Sequence, residues 1–199
     1  MQKSQNPNHP KKGSSIKVEP IRDRAAIKRI KKLLADQPRN LALFTLGINT
    51  AFRANELVAI DIDDVAHLKP GDVLDLKQKK VGKYRQVVLN QVAYEAIQLW
   101  LAERPQSETP ALFVGKRGGR LTVITVHRLV KTWCKHVGLK GNYGSHTLRK
   151  TWGYMQREYG GTNEILISEA YGHSSVKQTR AYLGIQSREI SSLYQSMEL

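Results

Sequence analysis

Tyr182 follows His173 by nine residues near the end of a strongly basic chain, and this pair is the most informative chemical feature of the sequence. Upstream lie His146 and Arg149, three residues apart, and an isolated arginine, Arg53. Breaking a phosphodiester without a metal requires a nucleophile, cationic hydrogen-bond donors for the non-bridging oxygens and an acid for the leaving oxygen. A tyrosine with arginines and histidines can supply the first two, so the chain carries residue types suited to cleaving a nucleic-acid strand.

The spacing of these residues favours convergence on one phosphate. His146 and Arg149 share a face if they lie on one helix. A guanidinium stays charged at any working pH and presents paired N–H donors that match a phosphate. A phenol has a pKa of about 10 in water, so Tyr182 needs positive charge or a base beside it in order to react. The lysine-rich turn around Lys80 offers candidates for the acid.

The charge balance points to a polyanionic partner. The 199 residues include 32 Lys and Arg against 17 Asp and Glu, which gives a net charge of +15. Nucleic acid is the partner that such an imbalance most naturally serves. An anionic membrane surface is the alternative, but the basic residues are spread over the chain and are not gathered on one amphipathic helix.

The composition is that of a soluble globular protein, with 40% hydrophobic and 25% charged residues. No apolar run approaches the roughly 20 residues that span a bilayer, and the start of the chain lacks the apolar core of a signal peptide. The single cysteine, Cys134, has no partner for an internal disulfide, and we expect it to be a buried bystander. We therefore expect a cytoplasmic, nucleoid-associated protein.

The pattern along the chain predicts a basic, mobile arm over residues 1–20 and one folded domain over residues 21–199. Alternating apolar residues predict strands at 72–76 and 85–89, joined by a lysine-rich turn at 79–83. Helical periodicity predicts helices at residues 22–35, 41–49, 53–59, 92–101, 125–137, 146–159, 162–171, 175–183 and 187–197. The expected fold class is mainly α with a small antiparallel β-hairpin.

Taken in order, these elements resemble the tyrosine recombinase (phage integrase) family, and the resemblance covers nearly the whole chain from Arg22 onward. The family's T-G-x-R-x-x-E-L pattern matches the segment around Arg53, and its H-x-x-R, L-G-H and T-x-x-Y boxes match later segments in the right order. The family's lysine, which lies on a β-hairpin ahead of a basic strand, matches Lys80 best, with Lys83 as the second choice. The catalytic residues implied by the resemblance are Arg53, Lys80, His146, Arg149, His173 and the nucleophile Tyr182.

The resemblance also implies a mechanism. Tyr182 would attack the scissile phosphate and leave a 3′-phosphotyrosine and a free 5′-hydroxyl, which can attack the same linkage in a partner duplex. Lys80 would protonate the leaving 5′-oxygen, His146 would assist proton transfer at the tyrosine, and His173 would hydrogen-bond the phosphate. No metal, organic cofactor or ATP is implied. The expected partner is double-stranded DNA, bound by a homotetramer whose subunits can be monomers in solution.

The chain departs from the family pattern at several positions without losing a reacting group. Ala51 replaces the usual glycine before the first arginine, Asn55 the usual serine after it, Tyr171 the leucine of the L-G-H box, and Val88 a proline common in the strand after the lysine. We also expect no separate N-terminal core-binding domain, as in the similarly short fimbrial phase-switching members. This absence would weaken DNA affinity and autonomous site selection.

Each signal has an ordinary structural interpretation. A lone tyrosine or histidine is most often packed in a core, and Arg53 could simply pair with Glu56. The tryptophans lie at apolar positions of the predicted helices, so we expect them in the core. A final helix over residues 187–199 could dock on a neighbouring protomer or fold back on its own domain.

Three functions compete. The first is a site-specific recombinase. The second is a non-catalytic DNA-binding accessory or regulatory module derived from one, and the third is a type IB topoisomerase, which uses similar tyrosine chemistry. The ordered set of motifs favours the first over the second. The His173 box and the small size favour a recombinase over a topoisomerase.

Overall fold

The computed structural model describes residues 18–77, 84–184 and 194–196, which are mainly helical. The helices are α1 (Arg24–Leu33), α2 (Pro38–Asn49), α3 (Ala54–Ala59), α4 (Gln91–Glu103), α5 (Val123–His136), α6 (Thr147–Glu158), α7 (Glu164–Tyr171) and α8 (Val176–Leu183). The strands β1 (Val73–Lys77) and β2 (Tyr84–Val88) pair antiparallel. The expected fold class is confirmed. In the described part of the chain, no helix has the length and apolar character needed to cross a membrane.

The first two helices begin at recognisable sequence signals. Asp23 caps α1, because its carboxylate accepts hydrogen bonds from the backbone N–H groups of Ala25 and Ala26 at 2.8 and 3.1 Å. Helix α2 was expected to start at residue 41 but starts at Pro38. Proline has no N–H to leave unpaired in the first turn, and its fixed φ suits a helix start. Helix α1 already ends at Leu33, so Pro38 begins the second helix and does not end the first.

Helix α2 lies at the centre of the domain, packed against α4 and α6. Seven of its residues are buried. A Cβ atom on Gly47 would lie 2.5 Å from Cδ1 and 3.0 Å from Cβ of Leu148 on α6, so a side chain at position 47 would displace Leu148 or separate the two helices. This close approach brings the start of α6, with His146 and Arg149, toward the end of α2.

Two of the three tryptophans lie in the main core, as expected. Trp100 is 6% exposed and donates from Nε1 to the carbonyl oxygen of Leu112 at 2.7 Å. Trp133 is 4% exposed and packs edge-to-face against Phe44, with ring centroids 5.9 Å apart. Neighbouring Cys134 is also buried, and burial raises the pKa of its thiol to about 12. The thiol therefore stays protonated near neutral pH, which fits a packing role.

The β-hairpin confirms the expected strand pairing. Its register runs from the Val73–Val88 pair to the Lys77–Tyr84 pair, one residue later on β1 and one earlier on β2 than expected. The turn between the strands, residues 78–83, lies outside the described residues. Lys80 and Lys83, the two candidates for the acid, are therefore both in the part that the structure does not describe.

Helices α6, α7 and α8 pack around a second, smaller apolar cluster. Ala51, Ile167, Tyr171 and Leu183 are buried in it, and Trp152 and Tyr182 pack against it. Helix α7 ends at Tyr171, and the next residue, Gly172, has a φ of +63°, the left-handed conformation typical of a helix C-terminus. The chain then turns into α8, which carries the candidate nucleophile. Of the expected helix at residues 187–197, only residues 194–196 are described.

Candidate active site

Arg53 stands at the start of α3, held by a buried carboxylate. Its backbone N–H donates to Oε2 of Glu56 at 2.6 Å, and its Nη1 donates to Oε1 of the same carboxylate at 3.0 Å. The Glu56 side chain is 8% exposed and that of Arg53 is 36% exposed. Glu56 therefore holds both the backbone N–H and the guanidinium of Arg53, while about a third of the arginine side chain remains open to an incoming anion.

The turn before Arg53 has an unusual backbone. Ala51 has a φ of +56°, in the left-handed region that favours glycine. This is the position at which the family pattern has glycine, so the structure explains that preference. The carbonyl oxygen of Ala51 accepts a hydrogen bond from Nη1 of Arg149 on α6. The turn thus connects the segment leading to Arg53 with the second arginine of the site.

Arg149 is buried, with 1% of its surface exposed. Besides its bond to Ala51, it donates from Nη2 to the carbonyl oxygen of Tyr171 at 2.5 Å. Its Cζ lies 4.5 Å from the centroid of the Tyr171 ring, a cation–π geometry. The guanidinium therefore has a fixed position between the turn at Ala51 and the end of α7.

Tyr182 and His146 are in direct contact. The hydroxyl of Tyr182 lies 3.2 Å from Nδ1 of His146, and the two rings meet edge-to-face. Tyr182 is half-buried on α8, and His146 is the residue just before α6. A hydroxyl this close to an imidazole nitrogen can pass its proton to that nitrogen when the nitrogen is unprotonated.

Desolvation lowers the pKa of His146 below its ordinary value of 6.5, and the charges of Arg149, Arg53 and Lys150 lower it further. The imidazole is therefore neutral at pH 7 and can accept a proton. Arg53 is thus one of the charges that act on His146 through space.

His173 also packs against the ring of Tyr182. Its Nδ1 is 2.9 Å from Oγ1 of Thr179, which is fully buried on α8. Its ring centroid lies 5.3 Å from that of Tyr182. Thr179, one turn before the tyrosine, thus ties His173 to the helix that carries Tyr182.

Lys150 belongs to the same cluster but was missed by the sequence analysis. It is 7% exposed, and its Nζ lies 4.8 Å from the centroid of the Tyr182 ring. A sequence signal was present, since Lys150 follows His146 by four residues and so shares its helix face. The structure therefore places a cation that the sequence analysis did not name over the ring of the candidate nucleophile.

The structure thus brings together five of the six expected site residues, and the sixth, Lys80, lies outside the described residues. The model of the "Phage integrase family" matches residues 19–189. The chain belongs to the phage integrase family. Among family relatives, tyrosine recombinase XerC of Caldanaerobacter subterraneus subsp. tengcongensis is 33% identical over 76% of this chain. A probable integrase/recombinase, YoeC of Bacillus subtilis, is 30% identical over 84% of this chain.

These relatives differ in length. This phage integrase family chain covers 43% of the Caldanaerobacter XerC sequence and 53% of the XerC sequence of Haemophilus ducreyi, but 90% of YoeC. It therefore spans about half the length of the Xer proteins that it matches, and nearly all of one short relative.

Solved structures agree on the fold. A crystal structure of XerA recombinase superposes with a TM-score of 0.74 at 22% identity, over 89% of this chain and 65% of that one. XerH recombinase, crystallised with a palindromic difH substrate after cleavage, gives 0.71 at 23% identity, over 90% of this chain and 53% of that one. At these identities the likeness establishes the fold, which is that of a tyrosine recombinase catalytic domain.

Proposed function

We propose that this protein is a site-specific DNA recombinase that cuts and rejoins duplex DNA through Tyr182. The observation that carries the proposal is the 3.2 Å contact between the Tyr182 hydroxyl and Nδ1 of His146, beside the cations Arg53, Arg149 and Lys150. Metal-independent attack on a phosphodiester uses a nucleophile, a base that takes its proton and fixed positive charge, together with an acid for the leaving oxygen.

In the proposed step the phenolic oxygen attacks the scissile phosphorus as its proton passes to His146. A bond from Tyr182 to phosphorus forms, and the bond from phosphorus to the 5′-oxygen breaks. The products are a 3′-phosphotyrosine and a 5′-hydroxyl, so the reaction needs no ATP. Attack by a 5′-hydroxyl of a partner duplex reverses the same chemistry and releases the tyrosine.

The two arginines would serve the non-bridging oxygens at different stages. Arg53 is the cation open to solvent, so we propose that it meets the phosphate first. Arg149 is 1% exposed, so we propose that it contacts the phosphate only after Arg53 has done so. His173, held by Thr179, would donate a hydrogen bond to the phosphate. This order predicts that an Arg53→Ala variant loses DNA capture as well as cleavage.

Lys80 is proposed as the acid that protonates the leaving 5′-oxygen, with Lys83 as the alternative. A duplex with sulfur in place of the bridging 5′-oxygen separates the two, because a thiolate leaves without an acid. Cleavage of the sulfur substrate should be restored in the variant that lacks the acid. Restoration with Lys83→Ala but not with Lys80→Ala would reassign the role.

The partners are proposed on the same basis. A net charge of +15 fits capture of duplex DNA. Two duplexes with two exchanged strands each need four tyrosines, so we propose a homotetramer on DNA formed from monomers. The cytoplasmic, nucleoid-associated location and the division into an arm at 1–20 and a catalytic domain at 21–199 are proposed with it.

The test is covalent adduct formation. Nicked duplexes that bind the Tyr182→Phe variant are selected from a random-sequence library and then incubated with wild-type protein in EDTA. A denaturing gel should show a protein–DNA adduct with wild type and with the control Tyr159→Phe, whose ring is largely exposed and lies against Arg24, but not with Tyr182→Phe.

The outcomes separate the competing functions. If wild type forms no adduct on any duplex that it binds, the recombinase proposal fails in favour of a non-catalytic DNA-binding module. Adduct formation followed by relaxation of any supercoiled plasmid, without exchange between sites, indicates a type IB topoisomerase. Exchange confined to plasmids that carry the selected site supports the proposal.

A further inference from the structure

Tyr171 contacts three residues of the candidate site, although the motifs assign it no role. It is the last residue of α7, and no part of it is exposed to solvent. Its ring centroid lies 4.9 Å from that of His173 and 5.3 Å from that of Tyr182. The same ring lies 4.5 Å from Cζ of Arg149. One aromatic ring therefore touches the arginine, the histidine and the candidate nucleophile.

Polar contacts reinforce this arrangement in both directions. The Tyr171 hydroxyl donates to the carbonyl oxygen of Arg149 at 2.8 Å, and the Tyr171 carbonyl oxygen accepts from Nη2 of Arg149 at 2.5 Å. The backbone and the guanidinium of Arg149 are thus each bonded to Tyr171. A leucine at position 171, as in the family pattern, would keep the bond from Nη2 of Arg149 to the carbonyl oxygen of residue 171. It would lose the bond from the Tyr171 hydroxyl to the carbonyl oxygen of Arg149.

A glycine on the neighbouring helix makes room for this tyrosine. A Cβ atom on Gly153 of α6 would lie 1.9 Å from the Tyr171 hydroxyl oxygen and 2.6 Å from its Cζ. It would also lie 3.0 Å from Cδ2 of Leu183, the residue after Tyr182. Non-bonded heavy atoms cannot approach to 1.9 or 2.6 Å, so a side chain at position 153 must displace the Tyr171 ring. The two positions are coupled.

We propose that Tyr171 is a positioning residue for the strand-cleavage site and that Gly153 is its required partner. The ring of Tyr171 sets the guanidinium of Arg149 and the rings of His173 and Tyr182 relative to one another. Its hydroxyl fixes the tyrosine to α6. In this chain the ring of Tyr171, which we call the aromatic platform, thus orients the site residues from a position where the family pattern has leucine. The proposal rests on the function proposed above.

The variants Tyr171→Phe and Tyr171→Leu separate the ring from the hydroxyl. Adduct rates are measured in single turnover on a nicked duplex selected as above, and the dissociation constant for that duplex is measured by gel shift. Tyr171→Leu should slow the adduct step by about tenfold to a hundredfold, because small misplacements of reacting groups cost this much. Its DNA affinity should change less than about threefold, a bound set by keeping the charges that dominate affinity. Tyr171→Phe keeps the ring and should recover most of the rate.

A matched control accounts for general loss of stability. Tyr94→Leu makes the same change on α4, where the tyrosine is half-buried against the main core. It should leave the adduct rate unchanged. Equal rates for Tyr171→Leu and Tyr94→Leu would overturn the proposal, as would a loss in Tyr171→Leu that is confined to DNA affinity.

The coupling to Gly153 is tested with a double-mutant cycle. Gly153→Ala alone should slow the adduct step about as much as Tyr171→Leu, since both remove the ring from its position. Adding Gly153→Ala to Tyr171→Leu should have little further effect. Full multiplication of the two rate losses would contradict the coupling.

A spectroscopic readout keeps this inference separate from the function itself. In the free protein, the side-chain protons of Arg149 lie over an aromatic ring and should show upfield ring-current shifts in the NMR spectrum. These shifts should persist in Tyr171→Phe and vanish in Tyr171→Leu. If wild type forms no adduct but the shifts behave in this way, the recombinase proposal fails and the platform stands. If the shifts are absent from wild type, the platform itself is wrong.

Discussion

Ala51 is the residue at which the sequence and the required backbone conformation conflict most directly. Its φ of +56° places it in the left-handed region, which costs an L-residue with a side chain about 1–2 kcal/mol. Ala51 is also 1% exposed, so its methyl group is fully packed. Replacement by glycine removes the strain and the methyl contacts together. The informative comparison is the same replacement at Ala54, which is 5% exposed in the first turn of α3.

Two losses of stability are common to Ala51→Gly and Ala54→Gly. Each loses a buried methyl group, which costs about 0.8 kcal/mol, and each gains the extra backbone entropy of glycine in the unfolded chain, which costs about 0.5–1 kcal/mol. Only Ala51→Gly relieves the left-handed strain. The free energy of unfolding should therefore fall by about 1.3–1.8 kcal/mol in Ala54→Gly. It should stay near the wild-type value in Ala51→Gly, about 1–2 kcal/mol above the Ala54 variant.

Urea denaturation followed by circular dichroism measures this difference, with equal slopes for the two variants as a check that the same surface is exposed. In thermal scans the midpoints should differ by about 2–8 °C, because 1 kcal/mol corresponds to about 2–4 °C in a domain of this size. Equal losses of stability in the two glycine variants would refute the assignment of strain to Ala51. A larger loss in Ala51→Gly than in Ala54→Gly would refute it more strongly.

Two further predictions concern the pKa of His146 and the contact between α2 and α6 at Gly47. The pKa of His146 is lowered, so the folded state favours the neutral ring. The contribution of the neutral ring to the free energy of unfolding is therefore complete above pH 6.5, and it is lost as the pH falls from there through the folded-state pKa. In NMR titrations Lys150→Met should raise the His146 midpoint toward 6.5, whereas Lys177→Met, on the exposed surface of α8, should leave it unchanged; equal midpoints in all three proteins would exclude Lys150 as a cause. Gly47→Ala should lower the free energy of unfolding by about 1–3 kcal/mol, because its Cβ would meet Cδ1 of Leu148 at 2.5 Å. In urea denaturation the double variant with Leu148→Ala should lose less than the two single losses combined, and strict additivity would contradict the contact.

Much of the fold could be predicted because periodicity and punctuation are local properties of the chain. The alternation that predicts β1 and β2 is carried by adjacent residues, and the structure moves each strand by one residue only. The start of α2 was less predictable, since Pro38 can end one helix or begin the next. That choice depends on how the following helix packs in the core.

Much of the candidate site could also be predicted from the sequence. Arg53, His146, Arg149, His173 and Tyr182 were predicted from residue types and ordered spacing, and the structure places them together. Their local partners were also within reach of sequence, since Glu56 and Thr179 lie three residues from Arg53 and Tyr182. The roles of all these residues, and of Lys80, remain predictions for the adduct experiments to decide.

By itself the sequence determined which chemical groups are available, the order of the helices and strands, and a charge of +15 suited to DNA. Only the tertiary structure decided how these groups meet. The contact of Tyr171 with Arg149 spans 22 residues, and that of Ala51 with Arg149 spans 98. Such contacts depend on helix packing that is set by close approaches at Gly47 and Gly153, where the absence of a side chain matters. No local pattern encodes those distances, because each results from the simultaneous packing of several helices around one core.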